Sequence, residues 1–184
     1  MKSPKDRKAF FELFPKHGVG VEVGVFEGFN ARDHLIPVCA PKQLYLVDSW
    51  GVIDEQDHGT DWKGVEANHP SGRGDLRYVS VKEMFANHID VHILRSYSHA
   101  AATLFKDQSL DWVYVDANHE YKWVKRDIEA WLPKIKPGGF MGGHDYMEYR
   151  GFGVIHAVAE CLVDKGHNLV AVSQNKHPDW LVQL

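Results

Sequence analysis

Residues 110–143, which read LDWVYVDANHEYKWVKRDIEAWLPKIKPGGFMGG, decide the fold. Their apolar beginning predicts a buried strand over 110–116, and the amphipathic pattern that follows predicts a helix over about 120–132. The prolines of 133–139 stop that helix, and the glycines beside them turn the chain into another strand over 138–143. A strand, a helix and a strand in this order are typical of a parallel sheet covered by helices.

The same alternation extends over most of the chain. Further apolar runs predict strands over 18–25, 43–48, 91–96, 169–174 and 180–184. Further helices are predicted over 5–16, 29–37, 78–88, 97–105 and 153–165, and Pro37 and Pro41 are expected to end the second of these. Strands that are apolar almost throughout indicate an α/β fold in which helices cover both faces of a mostly parallel sheet.

Composition predicts one domain over residues 1–184. The chain is 44% hydrophobic and 12% aromatic, enough for a sizeable core. Its 21 basic and 25 acidic residues give a net charge of -4, which offers no general attraction to nucleic acid or to an anionic membrane. Cys39 and Cys161 lack metal-ligand spacing and are expected to be buried free thiols. We find no signal-peptide pattern and no run of membrane-spanning length, so a cytoplasmic location is expected.

Polar or flexible residues end five of the predicted strands. The glycines of 24–28 follow the first strand, the second ends at Asp48 and the third at Ser96. The fourth ends at Asp116, with Asn118 and His119 close behind, and the fifth is followed by His144 and Asp145. Each alone could be a turn former. In a parallel sheet, however, all of these ends gather along one edge, where open α/β sheets bind their ligands. The sequence therefore predicts a site at this edge.

The first of these loops limits the ligand. Gly24 and Gly28 allow a tight turn and close approach of a ligand, but the G-x-G-x-x-G pattern is absent, and Glu22 and Glu27 disfavour a pyrophosphate. Acidic residues here suit an ammonium or a sulfonium group. Asp48, 20 residues after Gly28, is placed to accept hydrogen bonds from ribose hydroxyls. The alternatives are a solvated strand residue for Glu22 and a turn former for Asp48.

Three segments carry a resemblance to a known family: VEVGVFEGFNA (21–31), LYLVDSW (44–50) and the block DWVYVDANHEY to GGHDY (111–146). They resemble class I S-adenosylmethionine-dependent methyltransferases, in particular a bacterial and phage group with D-x-x-H-x-Y and P-G-G-x-x-x-G-H-D-Y motifs. The resemblance implies a Rossmann-like three-layer α/β/α sandwich, with seven strands of which the last is antiparallel. It also implies that cofactor methionine lies over residues 22–28, ribose on Asp48 and adenine near Ser96 and Tyr97. The cofactor-binding residues predicted in this way are Glu22, Gly24, Gly28, Asp48, Ser49, Ser96 and Asp116.

Related sugar O-methyltransferases hold a divalent metal with acids at positions that match Asp116 and Asp145. This chain has Asn118 and His144 where those enzymes carry a second acid in each cluster. Mg²⁺ prefers oxygen ligands, so such a site would be weak for Mg²⁺, whereas these acids with His119 and His144 could suit a softer transition metal. Metal binding at Asp116 and Asp145 is left open.

The function predicted is methyl transfer from S-adenosylmethionine, with oxygen of a sugar-like or natural-product-like small molecule as acceptor. Asp116, His119 and His144 are the predicted catalytic residues, with one histidine as general base and an aspartate to orient it. A cofactor-binding protein without transferase activity and another α/β nucleotide enzyme, such as a dehydrogenase, are the alternatives. Neither nucleic acid nor a membrane is an expected partner, and a homodimer is left open. The polar stretch 51–77, with Trp50 and Trp62 in or beside it, is interpreted as a lid rather than a disordered insertion.

Overall fold

The computed structural model describes residues 1–51 and 73–184, and these residues form a sheet flanked by helices. The strands are β1 Val19–Val23, β2 Gln43–Asp48, β3 Val91–Arg95, β4 Leu110–Val115, β5 Ile135–Gly143, β6 Asn168–Val172 and β7 Trp180–Gln183. The helices are α1 Arg7–Phe11, α2 Ala31–Cys39, α3 Arg73–Met84, α4 Ser98–Ala102, α5 Tyr121–Trp131 and α6 Val154–Cys161. Short 3₁₀ turns follow α5 at Leu132–Lys134 and α6 at Val163–Lys165.

The strands form one seven-stranded sheet in the order β3-β2-β1-β4-β5-β7-β6. Pairs β3-β2, β2-β1, β1-β4 and β4-β5 are parallel, whereas β7 is antiparallel to both β5 and β6. The predicted fold class, a mostly parallel Rossmann-like sheet with an antiparallel last strand, is confirmed. The strand order reverses between β1 and β4, which is where a ligand is expected in such a sheet.

Strand β4 shows why the apolar runs lack alternation with polar residues. Trp112 and Tyr114 pack into one hydrophobic core with the phenylalanines of α1, whereas Val113 and Val115 pack into a second core on the other face. Both faces are covered, so every side chain of the strand except that of Asp111 is buried. This placement leaves the carboxyl end of β4 as the part of the strand available for a site.

Several predicted boundaries are wrong by a few residues. Helix α2, which is a π-helix, continues two residues beyond Pro37, which removes one N–H donor without ending the helix. It ends at Ala40, whose backbone is left-handed with φ 45°. Helix α3 covers 73–84 rather than 78–88, because its polar first turn hides it from apolar periodicity. Helix α1 begins only at Arg7, where the carboxylate of Asp6 caps it by accepting from the N–H of Ala9. Strand β5 includes residues 135–137, which were interpreted as part of a turn.

Cys39 and Cys161 are free and buried, as predicted. Among the described helices we find none with the length and apolar content that crossing a membrane requires. Most of the predicted lid over 51–77, including Trp62, falls on 52–72, outside the described residues. Trp50, beside it, is buried against Tyr78 of α3.

Candidate active site at the carboxyl edge of the sheet

Gly24 brings the loop after β1 into direct contact with the end of β4. Its backbone has φ 88°, and its N–H donates to the carbonyl of Val47 at 2.9 Å. A Cβ atom added at this position would lie 2.1 Å from the carbonyl oxygen of Asp116. Only glycine combines this backbone conformation with so close an approach, so the predicted cofactor loop and the end of β4 form one continuous surface.

Asp48 holds the same loop through its backbone. The Oδ2 atom of Asp48 accepts hydrogen bonds from the N–H groups of Val25 and Phe26, both at 2.8 Å. Its Oδ1 atom accepts from the N–H of Trp50, also at 2.8 Å. The carboxylate is therefore more than a turn former at the end of its own strand. Its predicted contact with ribose hydroxyls stays a prediction.

Glu22 is buried in the middle of the site, with an exposed fraction of 1%, so the alternative of a solvated strand residue is wrong. Its Oε1 atom accepts a hydrogen bond from Nδ2 of Asn30 at 2.7 Å. Neither Oε2 of Glu22 nor Oδ1 of Asn30 has a hydrogen-bond partner among the described residues. Burial raises the pKa of Glu22 to about 8; the hydrogen bond from Asn30 lowers it, and the nearby carboxylate of Asp116 raises it further.

The remaining predicted cofactor residues adjoin this loop. Ser96 donates its backbone N–H to the carbonyl of Asp48 at 2.9 Å, and its hydroxyl donates to the carbonyl of Tyr97 at 3.2 Å. The carbonyl of Ser49 accepts from Nε of Arg95 at 3.5 Å. Gly28, with φ 79°, turns the chain toward α2. These contacts place the strand ends side by side; the roles of the residues in cofactor binding stay predictions.

A cluster of acids and imidazoles lies at the ends of β4 and β5. We call it the acid–imidazole cluster; its members are Asp116, His119, His144, Asp145 and His177. Oδ2 of Asp145 lies 3.1 Å from Nε2 of His119 and 3.2 Å from Nδ1 of His144. Oδ1 of Asp116 lies 3.4 Å from Nε2 of His119 and 3.5 Å from Nδ1 of His144. The structure therefore brings together all three predicted catalytic residues and both predicted metal ligands.

The imidazoles and carboxylates of this cluster stabilise each other's charges. Burial alone would raise the pKa of Asp116, but hydrogen bonds from His119 and His144 outweigh it and hold this pKa well below its usual range. Burial alone would lower the pKa of His144, but Asp116 and Asp145 raise it to about 10. The two carboxylates therefore favour the protonated form of His144.

Asp145 occupies a constrained position. It has φ 55°, in the left-handed region that is unusual for a residue other than glycine, and an exposed fraction of 6%. Such backbone strain persists where the surrounding structure enforces it, often at functional sites. Here the carboxylate is held by three imidazoles, including that of His177, whose Nδ1 lies 2.7 Å from Oδ1 of Asp145.

Three members of the cluster have the spacing of a metal site. One carboxylate oxygen each from Asp116 and Asp145 and one ring nitrogen of His144 lie within 4.8 Å of one another. Two oxygen ligands and one nitrogen ligand fit a transition metal better than Mg²⁺. The side chain of Asn118 does not add to this set, because its Oδ1 accepts the backbone N–H of Glu120 at 2.8 Å in a turn.

Two residues that contact the site are not among those predicted from the sequence. His177 comes from the turn between β6 and β7. Arg7 comes from α1, and its Nη2 lies 3.7 Å from Oδ2 of Asp116 and 3.1 Å from Oδ1 of Asp179, which is fully buried. Tyr114 joins this group by donating its hydroxyl to Oδ1 of Asp179 at 2.7 Å. The available sequence signal was Asp179 in HPDW (177–180), directly before the final apolar run, since a charged residue beside such a run needs a partner when it is buried.

The chain is similar to known methyltransferases. A family described as a methyltransferase domain matches residues 21–146. A Sinorhizobium fredii protein, "Uncharacterized protein y4gI", is 29% identical over 144 residues; the match covers 76% of this chain but only 14% of that protein. A SAM-dependent methyltransferase from Aquifex aeolicus has a TM-score of 0.63 at 14% identity, with 97% of this chain and 89% of that chain covered.

A tRNA methyltransferase and a fibrillarin share the fold to the same degree. The B. subtilis tRNA methyltransferase TrmK has a TM-score of 0.63 at 10% identity, covering 99% of this chain and 66% of that chain. Aeropyrum pernix fibrillarin, solved with natively bound S-adenosyl-L-methionine, has a TM-score of 0.63 at 11% identity, covering 96% of this chain and 72% of that chain. At such identities these likenesses concern the fold.

The family match covers more than half of the chain, so the chain belongs to this methyltransferase-domain family. The predicted methyltransferase class is therefore confirmed at the level of the family, and the family match does not support the alternative of a dehydrogenase. Methyl transfer from S-adenosylmethionine by this chain stays a prediction. The finer relation to sugar O-methyltransferases stays a prediction.

Proposed function

We propose that the chain transfers a methyl group from S-adenosylmethionine to an oxygen atom of a small-molecule acceptor at the acid–imidazole cluster. The observation that carries this proposal is the position of Asp116. Its carbonyl lies against Gly24 of the cofactor loop, while its carboxylate faces His119 and His144. A cofactor on this loop and an acceptor at the cluster would therefore be neighbours.

The residues around the cofactor loop fit S-adenosylmethionine. Gly24 lets the loop pack directly against the end of β4, and two buried acceptor oxygens of Glu22 and Asn30 lack a donor, which an ammonium group could supply. When bound, the cofactor supplies an electrophilic methyl group on a sulfonium. The protein then has to align the acceptor, exclude water and remove a proton.

His119 is the base that the geometry favours. Its Nε2 atom lies between the carboxylates of Asp116 and Asp145, which orient the ring and stabilise the imidazolium formed when it takes the proton of an acceptor hydroxyl. We assign His144, whose Nδ1 faces the same carboxylates, to orienting the acceptor while it is protonated, or to holding a metal in its neutral form. A divalent metal would be held by Asp116, His144 and Asp145, where it would lower the pKa of a bound hydroxyl.

The charge of the protein limits the chemical class of the acceptor. The net charge of -4 and the acidic cluster disfavour a polyanionic substrate and suit a neutral, hydroxylated molecule. The proposed acceptor is therefore a sugar-like or natural-product-like alcohol, and neither nucleic acid nor a membrane is a proposed partner.

A methyl-transfer assay tests the proposal. S-adenosylmethionine with a radiolabelled methyl group is incubated with the protein and a panel of hydroxylated metabolites, with and without Mn²⁺ or Mg²⁺. We expect Asp116→Asn and His119→Gln to fold normally and to reduce transfer by about a hundredfold or more. The exposed Asp164→Asn controls for the loss of one carboxylate. Wild-type turnover in the two site variants, or transfer to tRNA alone, would contradict the proposal, and binding without any transfer would support the non-catalytic alternative.

A further inference from the structure

Two buried acceptor oxygens, on side chains that are hydrogen-bonded to each other, lack a donor. Asn30 uses its Nδ2 group for Oε1 of Glu22, so the atoms left over are Oε2 of Glu22 and Oδ1 of Asn30, both of which lack a hydrogen-bond partner among the described residues. Buried acceptors without a donor are costly and rare. A pair of them on neighbouring side chains indicates that a donor is missing from this spot.

In the free protein, a proton on Glu22 supplies that donor. The side chain is 1% exposed, and burial favours its neutral form. Among the charged groups that face it, Asp116 at the end of β4 and Asp48 at the end of β2 also favour the neutral form, whereas Arg7 of α1 opposes it. The carboxyl group is therefore protonated at neutral pH, in keeping with its pKa of about 8.

We infer that Glu22 releases this proton to solvent when the amino group of the cofactor's methionine binds between Glu22 and Asn30. The inference rests on the proposed function, since it needs the cofactor on this loop. No covalent bond to carbon changes: the O–H bond of Glu22 breaks, the proton passes to the buffer, and the ammonium group donates to the two oxygens. Binding of the cofactor is thereby linked to the release of one proton, and affinity rises with pH as long as the free amino group is an ammonium.

Calorimetry measures this release directly. S-adenosylhomocysteine carries the same amino group without the sulfonium, and its binding enthalpy is measured at pH 7 in buffers that differ in ionisation enthalpy. The slope of binding enthalpy against buffer ionisation enthalpy gives the number of protons released. We expect close to one proton to be released at pH 7, and an affinity that improves close to tenfold per pH unit between pH 6 and pH 7, where the ligand's amino group is still an ammonium. Above pH 9, where Glu22 is already ionised and the free amine is neutral, the slope should change sign to proton uptake.

Three variants test whether Glu22 is the group that releases the proton. Glu22→Gln cannot release one, so its slope should be near zero even where binding persists. Asn30→Ala keeps the titrating carboxyl, so it should bind more weakly but still release a proton. Glu12→Gln makes the same substitution at an exposed position outside the site and should behave as the wild type.

The outcomes separate this inference from the proposed function. Tight binding by the wild-type protein with a slope of zero from pH 6 to pH 7.5 would overturn the inference and leave the cofactor site in place. A slope retained in Glu22→Gln would also overturn it, because another group would then be the source of the proton. No binding of S-adenosylhomocysteine or S-adenosylmethionine by the wild-type protein would overturn the proposed function, and the inference with it.

Discussion

Replacement of Asp48 tests how the cofactor loop is held. The carboxylate accepts hydrogen bonds from three backbone N–H groups at 2.8 Å, those of Val25, Phe26 and Trp50. A hydrogen bond to a charged group contributes about 1.5–3 kcal/mol. The freed N–H of Phe26, an exposed residue, can turn to water, which reduces the loss. We therefore expect Asp48→Ala to lower the free energy of unfolding by about 3–5 kcal/mol, a large part of the ~5–15 kcal/mol of a typical domain.

Asp48→Asn sharpens the test. Both carboxylate oxygens accept from N–H groups, so an amide can replace only one of them and must point its NH₂ group at a donor. We expect it to lose about 2 kcal/mol or more, whereas Asp90→Asn, at an exposed position before β3, should lose little. Urea denaturation of the free proteins measures the three values. A loss below about 1 kcal/mol in Asp48→Ala would refute the reasoning that this carboxylate holds the loop. In variants that still fold, cofactor affinity should fall by about 1.5–3 kcal/mol if the ribose contact also exists.

Three further predictions concern the same edge of the sheet. Gly24→Ala should destabilise the protein by about 2–4 kcal/mol in urea, because the added Cβ meets the carbonyl of Asp116 at 2.1 Å; a loss below about 0.5 kcal/mol would contradict this close contact. Because folding raises the pKa of Glu22 from 4.5 to about 8, its contribution to stability is complete below pH 4.5 and is lost as pH rises to 8. The midpoint temperature of thermal unfolding should accordingly fall less in Glu22→Gln than in the wild type between pH 6 and pH 9. Parallel curves of this midpoint against pH would contradict the raised pKa of Glu22. His177→Ala should weaken Co²⁺ binding, followed by visible absorption, by about tenfold or more, because Asp145 loses the imidazole that orients it; unchanged binding would remove His177 from the site.

The meeting of Asp116, His119, His144 and Asp145 could be predicted from the sequence. Apolar runs that end in polar residues, separated by helices, indicate parallel strands, and parallel strands place their carboxyl ends on one edge. Once β4 and β5 are neighbours, the residues that follow them must be close to each other. Their distances of 3.1–3.5 Å are thus a consequence of topology.

The contributions of Arg7 and His177 could not be predicted in the same way. Arg7 precedes the first strand, and His177 lies 32 residues beyond its partner Asp145. Neither forms part of a strand end in the parallel set, and local patterns carry no information on which distant side chain completes a charged group. The partners of Asp48 were equally hidden, because they are backbone N–H groups that every residue except proline possesses.

Asp116 links the cofactor loop to the acid–imidazole cluster electrostatically as well as sterically. Its backbone N–H donates to the carbonyl of Val23 at 2.7 Å, one residue from Glu22, so the position of its charge relative to Glu22 is fixed by the sheet. The imidazoles of His119 and His144 keep that carboxylate ionised, and its negative charge in turn favours the protonated form of Glu22. Loss of the Asp116 charge would therefore ease deprotonation of Glu22 and move the pH range of proton release downward. The acid–imidazole cluster that is proposed to deprotonate the acceptor thus also helps to set the proton occupancy of the cofactor pocket.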